Sequence, residues 1–133
     1  MTRKEAREQA FVLVFENYFR KETVDELFEI AALYSNYTED EYCTNIVGLV
    51  EENKTQIDEI ISKFAKGWKL DRLSKVSLSA LRIAIAEIDF MEDIPESVSI
   101  NEAVELVKKY ATSEDASFVN GILGTYSRSK KED

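Results

Sequence analysis

The sequence predicts an all-α fold of seven helices, in two small subdomains (about residues 1–67 and 68–128) around one central apolar helix. Three observations lead there. One proline and four glycines among 133 residues leave few turn punctuators for an all-β chain, and strong helix formers dominate. The pattern Ser/Thr–x–x–Glu, whose hydroxyl and carboxylate cap a helix start reciprocally, recurs ahead of apolar stripes at helical spacing. Finally, the stretch from Leu73 to Met91 is apolar on nearly every side from Ala80 onward, interrupted only by Arg82, Glu87 and Asp89. A helix without a hydrophilic face belongs in the middle of a packed structure. It is too short and too charged for a bilayer span, which takes about 20 mostly apolar residues. A buried strand is the competing reading for residues 81–85; the length of the run and its alanines favour helix.

The first helix is predicted over Thr2 to Phe19, with Ala6, Ala10, Leu13 and Val14 on one face and Phe11, Phe15 and Tyr18 on another. So broad a stripe means packing on two sides or a face kept for a partner. Thr23 with Glu26 opens the second helix, whose stripe is Val24, Leu27, Phe28 and Ala31. Ser35-Asn36-Tyr37 reads as a turn. Thr38 with Glu41 is predicted to cap the third helix, in which Tyr42, Ile46, Leu49 and Val50 share a face. Thr55 and Asp58 restart the chain after Asn53-Lys54, and Ile57, Ile60, Ile61 and Phe64 run on to a C-terminal cap at Gly67. Trp68 to Leu73 bridges into the central helix, for which Ser74 is the predicted N-cap. Asp93-Ile94-Pro95 ends that region, because the residue before proline is pushed out of helical geometry. Ser99 with Glu102 is predicted to cap the sixth helix, turning Ile100, Ala103, Val104 and Val107 inward. Residues 112–115 form a turn, the seventh helix buries Val119, Ile122, Leu123 and Tyr126, and residues 129–133 form a frayed tail. Arg82, a charge within the apolar run, is predicted to pair with Glu87, Glu102 or Glu105.

Composition excludes more than it identifies. With 44% hydrophobic and 32% charged residues the chain has the profile of a folded domain, not of a disordered one. The start M-T-R-K-E-A-R-E has no signal-peptide core, and a single cysteine, Cys43, fits a reducing cytoplasm. The absence of histidine removes the commonest general base and metal ligand, so neither a cofactor nor a metal is expected. Carboxylates are abundant, but no pair stands out for catalysis, and the chain is read as a non-enzyme. Residues 16–60 carry 12 acids against 3 bases, which accounts for the whole net charge of −9. That argues against indiscriminate nucleic-acid binding and suits a basic protein partner.

Two groups of residues are candidates for contact. Arg3, Lys4 and Arg7 lie three and four apart, on one side of the first helix, where positive charge opposes the helix dipole. They read as a phosphate-binding patch or as a solvated first turn. Phe118 at the edge of the last helix is either core or a platform for stacking an unpaired base. Beside it, Asn120 could hydrogen-bond a base edge. Gly121, which weakens a helix by about 1 kcal/mol relative to alanine, suggests the close approach of another backbone.

The motifs A-R-E at 6–8, A-L-R-I-A-I-A-E at 80–87, I-P at 94–95, I-N-E-A-V-E-L-V-K at 100–108 and S-F-V-N-G-I-L at 117–123 occur in order. In them the chain resembles the NusB family of bacterial transcription antitermination factors. The resemblance implies a seven-helix NusB-like fold of two subdomains and no enzymatic activity. It also implies binding to boxA-type single-stranded RNA of ribosomal RNA operons, jointly with the basic small-subunit ribosomal protein that acts as NusE. The RNA polymerase elongation complex is then met indirectly. Carried onto this chain, the RNA-binding residues are Arg3, Lys4, Arg7, Phe118 and Asn120. Those facing the protein partner are Phe15, Asp71, Ser77 and Asp115. The chain departs from the family pattern at Val12, where glutamine is common, at Phe15, often tyrosine, at Ser117, often lysine, and at Ser77-Leu78-Ser79, where charges are common. These departures imply weaker RNA binding or a greater reliance on the partner. The alternative is an adaptor without RNA affinity, such as a homodimer formed through the broad apolar face of the first helix.

Overall fold

Most of the helices begin where the sequence offers a side-chain acceptor for the first free backbone N–H groups. A computed structural model describes residues 1–34 and 36–132, so Ser35 of the expected turn and Asp133 of the expected tail lie outside the described residues. Among the described residues there are seven α-helices and no strand. They are α1 (Arg3–Arg20), α2 (Val24–Ala31), α3 (Glu41–Glu52), α4 (Lys54–Phe64), α5 (Lys75–Phe90), α6 (Glu96–Tyr110) and α7 (Ser113–Lys131), with a short 3-10 turn at Leu70–Arg72 before α5. None of these helices is long and apolar enough to cross a membrane.

The capping boxes Thr2–Glu5 and Thr23–Glu26 form as their spacing predicts, and Ser74 caps α5 by accepting from the Ser77 N–H. Four starts differ from expectation. α4 begins at Lys54 after Asn53 with no side-chain cap, so Thr55, expected to restart the chain, lies inside its first turn. Asp40, not Thr38, caps α3, its carboxylate accepting from the Cys43 N–H at 2.9 Å, because the carboxylate stands one residue before the helix and the hydroxyl does not. α6 starts at Glu96 directly after Pro95, which leaves Ser99 inside the helix and free for another partner. Thr112, within the expected turn, is the N-cap of α7, and that helix continues to Lys131 through most of the tail expected to fray. At the end of α4, Gly67 has φ +89°, a conformation that side chains disfavour.

α5 is the hub. All twelve residues from Ser77 to Ile88 are buried, and the helix packs against α1, α3, α4, α6 and α7. Burial on every side explains why its sequence shows no polar face. One continuous apolar core surrounds it, built from Leu13 and Val14 of α1, Ile46 and Val47 of α3, Ile61 of α4, Val107 of α6 and Leu123 of α7. Cys43 is buried in that core, where burial pushes its thiol pKa up and leaves it un-ionised. Arg82 does pair, but with Asp58 of α4: its Nε and Nη2 donate to the two carboxylate oxygens at 2.9 and 2.8 Å. Glu87, Glu102 and Glu105, the partners expected from the sequence, lie elsewhere. Glu87 and Glu102 are taken by α1.

Candidate nucleic-acid and partner interface

The three basic residues of α1 occupy three different environments. Arg7 is only 4% exposed. Its Nε donates to Glu87 Oε2 at 2.7 Å, its Nη2 to Glu87 Oε1 at 3.3 Å and its Nη1 to Glu102 Oε1 at 3.4 Å. Glu87 is fully buried and also accepts from the hydroxyls of Tyr42 and Ser99, so its oxygens are well supplied with donors. Burial alone would lower the pKa of Arg7, but the hydrogen bond and charge of Glu87 more than reverse that and raise it. Burial and the charge of Glu87 likewise push the Tyr42 hydroxyl well above the usual tyrosine range. Arg7, expected at a phosphate, is therefore an interior ion-pair residue. Lys4 is exposed and reaches Glu102 at 3.3 Å. The exposed Arg3 lays its guanidinium over the Tyr42 ring at 4.5 Å, in a cleft that also contains Glu39, Asp40, Glu41 and Asp93. The acidic block thus stands directly beside the basic turn, a juxtaposition that the separation in sequence hides.

Phe118 and Asn120 face different ways. Residues two apart on a helix diverge by about 200°. Phe118 is half-buried and meets Trp68 edge-on, with ring centroids 6.0 Å apart. Around this pair lies a cavity of about 140 Å3 lined by Arg72, Ser77, Glu114 and Asp115. It brings together one residue expected at RNA, Phe118, and two expected at the protein partner, Ser77 and Asp115. Ser77 is buried and forms part of the wall; its Oγ accepts from Ser74 Oγ at 2.8 Å. Asp115 is half-buried in the first turn of α7, where a carboxylate favours the helix dipole. Asp71 is exposed on the 3-10 turn beside Arg72. Trp68, 56% exposed, was missed by sequence reasoning, although a lone tryptophan in a connecting segment was a usable signal.

Asn120 instead opens onto the groove between α6 and α7. Gly121 beside it has no heavy atom within 4 Å of where a Cβ would stand, so the close approach of another backbone expected there does not occur among the described residues. On α1, the aromatic face divides along its length. Phe11 is buried against Tyr110 at 5.3 Å, Phe15 is half-buried, and Phe19 is 62% exposed, 5.4 Å from Phe15. Tyr18 receives the Lys75 ammonium at 4.5 Å, which ties the end of α1 to the start of α5.

Comparison with known proteins places this arrangement. The NusB family model matches residues 4–128. This chain belongs to the NusB family. It is 48% identical over 128 residues to the transcription antitermination protein NusB of Natranaerobius thermophilus, covering 92% of each chain. Among solved structures it is similar to antitermination factors NusB and NusE in complex with dsRNA, with a TM-score of 0.82 and 33% identity over 92% of this chain and 93% of that one. It is equally similar to T. maritima NusB, with a TM-score of 0.82 and 34% identity over 94% and 89% of the two chains. NusB-family proteins are non-catalytic RNA-binding regulators, in keeping with a chain in which no catalytic set was found in the sequence.

Proposed function

We propose that this NusB-family chain is a cytoplasmic antitermination factor that binds boxA-type single-stranded RNA jointly with a basic ribosomal protein, the counterpart of NusE, and through it meets RNA polymerase. The observation that carries the reading is the Trp68–Phe118 cavity, in which an exposed aromatic edge lies beside Asp115 and near the exposed Asp71. Aromatic rings offer stacking to unpaired bases, and the carboxylates offer ion pairs to a basic protein. Similarity to antitermination factors NusB and NusE in complex with dsRNA supports RNA and a NusE-type protein as the partner classes. A net charge of −9 favours such a pairing, because the cations of a basic partner would offset the acidic block of residues 16–60 beside the RNA.

In this reading Arg3 and Lys4 edge the RNA surface, and Arg7 positions α1 without touching RNA. Phe118 and Asn120 meet bases. Phe15, Asp71 and Asp115 meet the protein, with Ser77 as the wall behind them. A gel shift with boxA RNA, with and without the basic ribosomal protein, tests it. Weak binding alone and much tighter binding by the pair is the expected result. Phe118→Ala should weaken the ternary complex by about 1–3 kcal/mol, the range for a stacked base. Unchanged RNA affinity with or without the partner would refute the joint surface.

A further inference from the structure

The groove between α6 and α7 has a volume of about 690 Å3 and is lined by Asn101, Lys108, Asn120, Gly121, Gly124 and Arg128 among others, none of them acidic. In a chain of net charge −9 that is unusual. The clefts around Lys4, Gln9, Arg3 and Trp68 each count at least one carboxylate in their lining. The cations are also lightly engaged. Among the described residues Lys108 pairs only with Glu105 at 3.6 Å, with both side chains about half exposed, and Arg128 donates to the Thr125 hydroxyl at 3.2 Å. Asn101 and Asn120 are exposed, and among the described residues neither side-chain amide has a hydrogen-bond partner.

The two glycines have separate consequences. The Arg128 Nη1 lies 3.3 Å from where a Cβ of Gly124 would stand, so the missing methyl lets the guanidinium fold back along α7 toward the groove. Gly121 has open space above it and no internal contact that requires glycine, yet it sits in mid-helix, where glycine is unfavourable. A bare stretch of helix at the floor of a groove admits a ligand closer than any side chain would.

We propose that this groove is a track for a single strand of RNA, with Lys108 and Arg128 holding its phosphates and Asn101 and Asn120 meeting its base edges. It rests on the reading that the chain binds RNA and moves the phosphate contacts from the first turn of α1 to the acid-free groove. The amides, each carrying a donor and an acceptor, can meet a base edge, and the reading that the chain binds RNA decides for nucleic acid over an acidic peptide.

The test uses the full chain with its basic ribosomal partner, boxA RNA and a glutamate-rich peptide. Replacing both Lys108→Gln and Arg128→Gln should raise the Kd for RNA roughly tenfold and flatten the log Kd against log salt slope by about 1.4, two single-strand phosphate contacts. Gly121→Met, at a site with room for the side chain, should fold normally and weaken RNA binding by filling the floor. Asn101→Ala and Asn120→Ala should reduce discrimination between base sequences without altering the salt slope. Wild-type affinity and slope in the double variant, with Phe118→Ala still impaired, would overturn the groove and leave the proposed function standing. A wild-type complex that binds no RNA would overturn both. Equal affinity for a duplex of the same sequence, or a groove-dependent complex with the peptide alone, would also overturn the proposal.

Discussion

Arg7 and Glu87, 80 positions apart in the chain, meet in the interior with the guanidinium Nε 2.7 Å from the carboxylate. The pair joins α1 to α5, and through Ser99, Glu102 and Tyr42 it also engages α6 and α3. A buried ion pair of this kind is a poor source of net stability against a well-packed apolar alternative, but removing one partner strands the other charge. Arg7→Met and Glu87→Gln are each expected to destabilise the fold by about 3–5 kcal/mol. Urea titrations followed by circular dichroism measure this. A cost below about 1 kcal/mol, in the range of exposed pairs, would show that the interior charge is not isolated from water.

The Tyr42 hydroxyl, pushed above its ordinary pKa of 10.0 by burial and by Glu87, makes the fold sensitive to alkali. A group whose pKa is raised by folding contributes stability that is full below its unfolded pKa and is lost as pH rises beyond it. Thermal stability should therefore decline above about pH 10. Tyr126, raised by burial and its hydrogen bond to Asp89, acts in the same direction. Melting curves of the wild type, Tyr42→Phe and Tyr126→Phe from pH 8 to 11 separate the two, and each variant should show a shallower alkaline decline. Parallel declines in all three would assign the sensitivity to lysines instead.

Arg82 and Asp58 form a two-pronged pair between α5 and α4. Lysine cannot reproduce the fork, so Arg82→Lys should cost about 1–3 kcal/mol despite keeping the charge. Chemical denaturation reads this directly. A neutral result would mean that the long stem, and not the fork, supports the junction.

Glycine substitutions should have opposite signs at two sites. Gly121→Ala, in mid-helix with nothing within 4 Å, should stabilise by about 0.5–1 kcal/mol. Gly67→Ala, at φ +89°, should destabilise by about 1 kcal/mol. Differential scanning calorimetry on the two variants decides it, and the same sign in both would contradict the backbone argument.

The local parts of the fold were readable from the sequence because their causes are local. Thr2–Glu5 and Thr23–Glu26 announce their helices through residues three apart, and the apolar run of α5 announces its own burial. Where two local signals competed, the nearer acceptor or the proline decided: Asp40 displaced Thr38, and Pro95 set the start of α6 ahead of Ser99. The candidate site was less readable. Spacing placed Arg3, Lys4 and Arg7 on one side of a helix, but could not tell that Arg7 would meet a carboxylate from another helix while Lys4 stayed in water. Nor does adjacency in sequence reveal that Phe118 and Asn120 open onto different surfaces, one against Trp68 and the other against α6. Such facts belong to long-range packing, which a helical period does not encode.

The span between Arg7 and Glu87 also sets a timetable. At a synthesis rate of about 5–20 residues per second, the carboxylate follows the guanidinium by roughly 4–16 s. For that interval the Arg7 charge is unmatched and Phe11 is uncovered, since neither α5 nor Tyr110 of α6 yet exists. The N-terminal helix therefore waits for the middle of the chain before its interior charge is matched, and a chain that stops before residue 87 leaves it without its anchor.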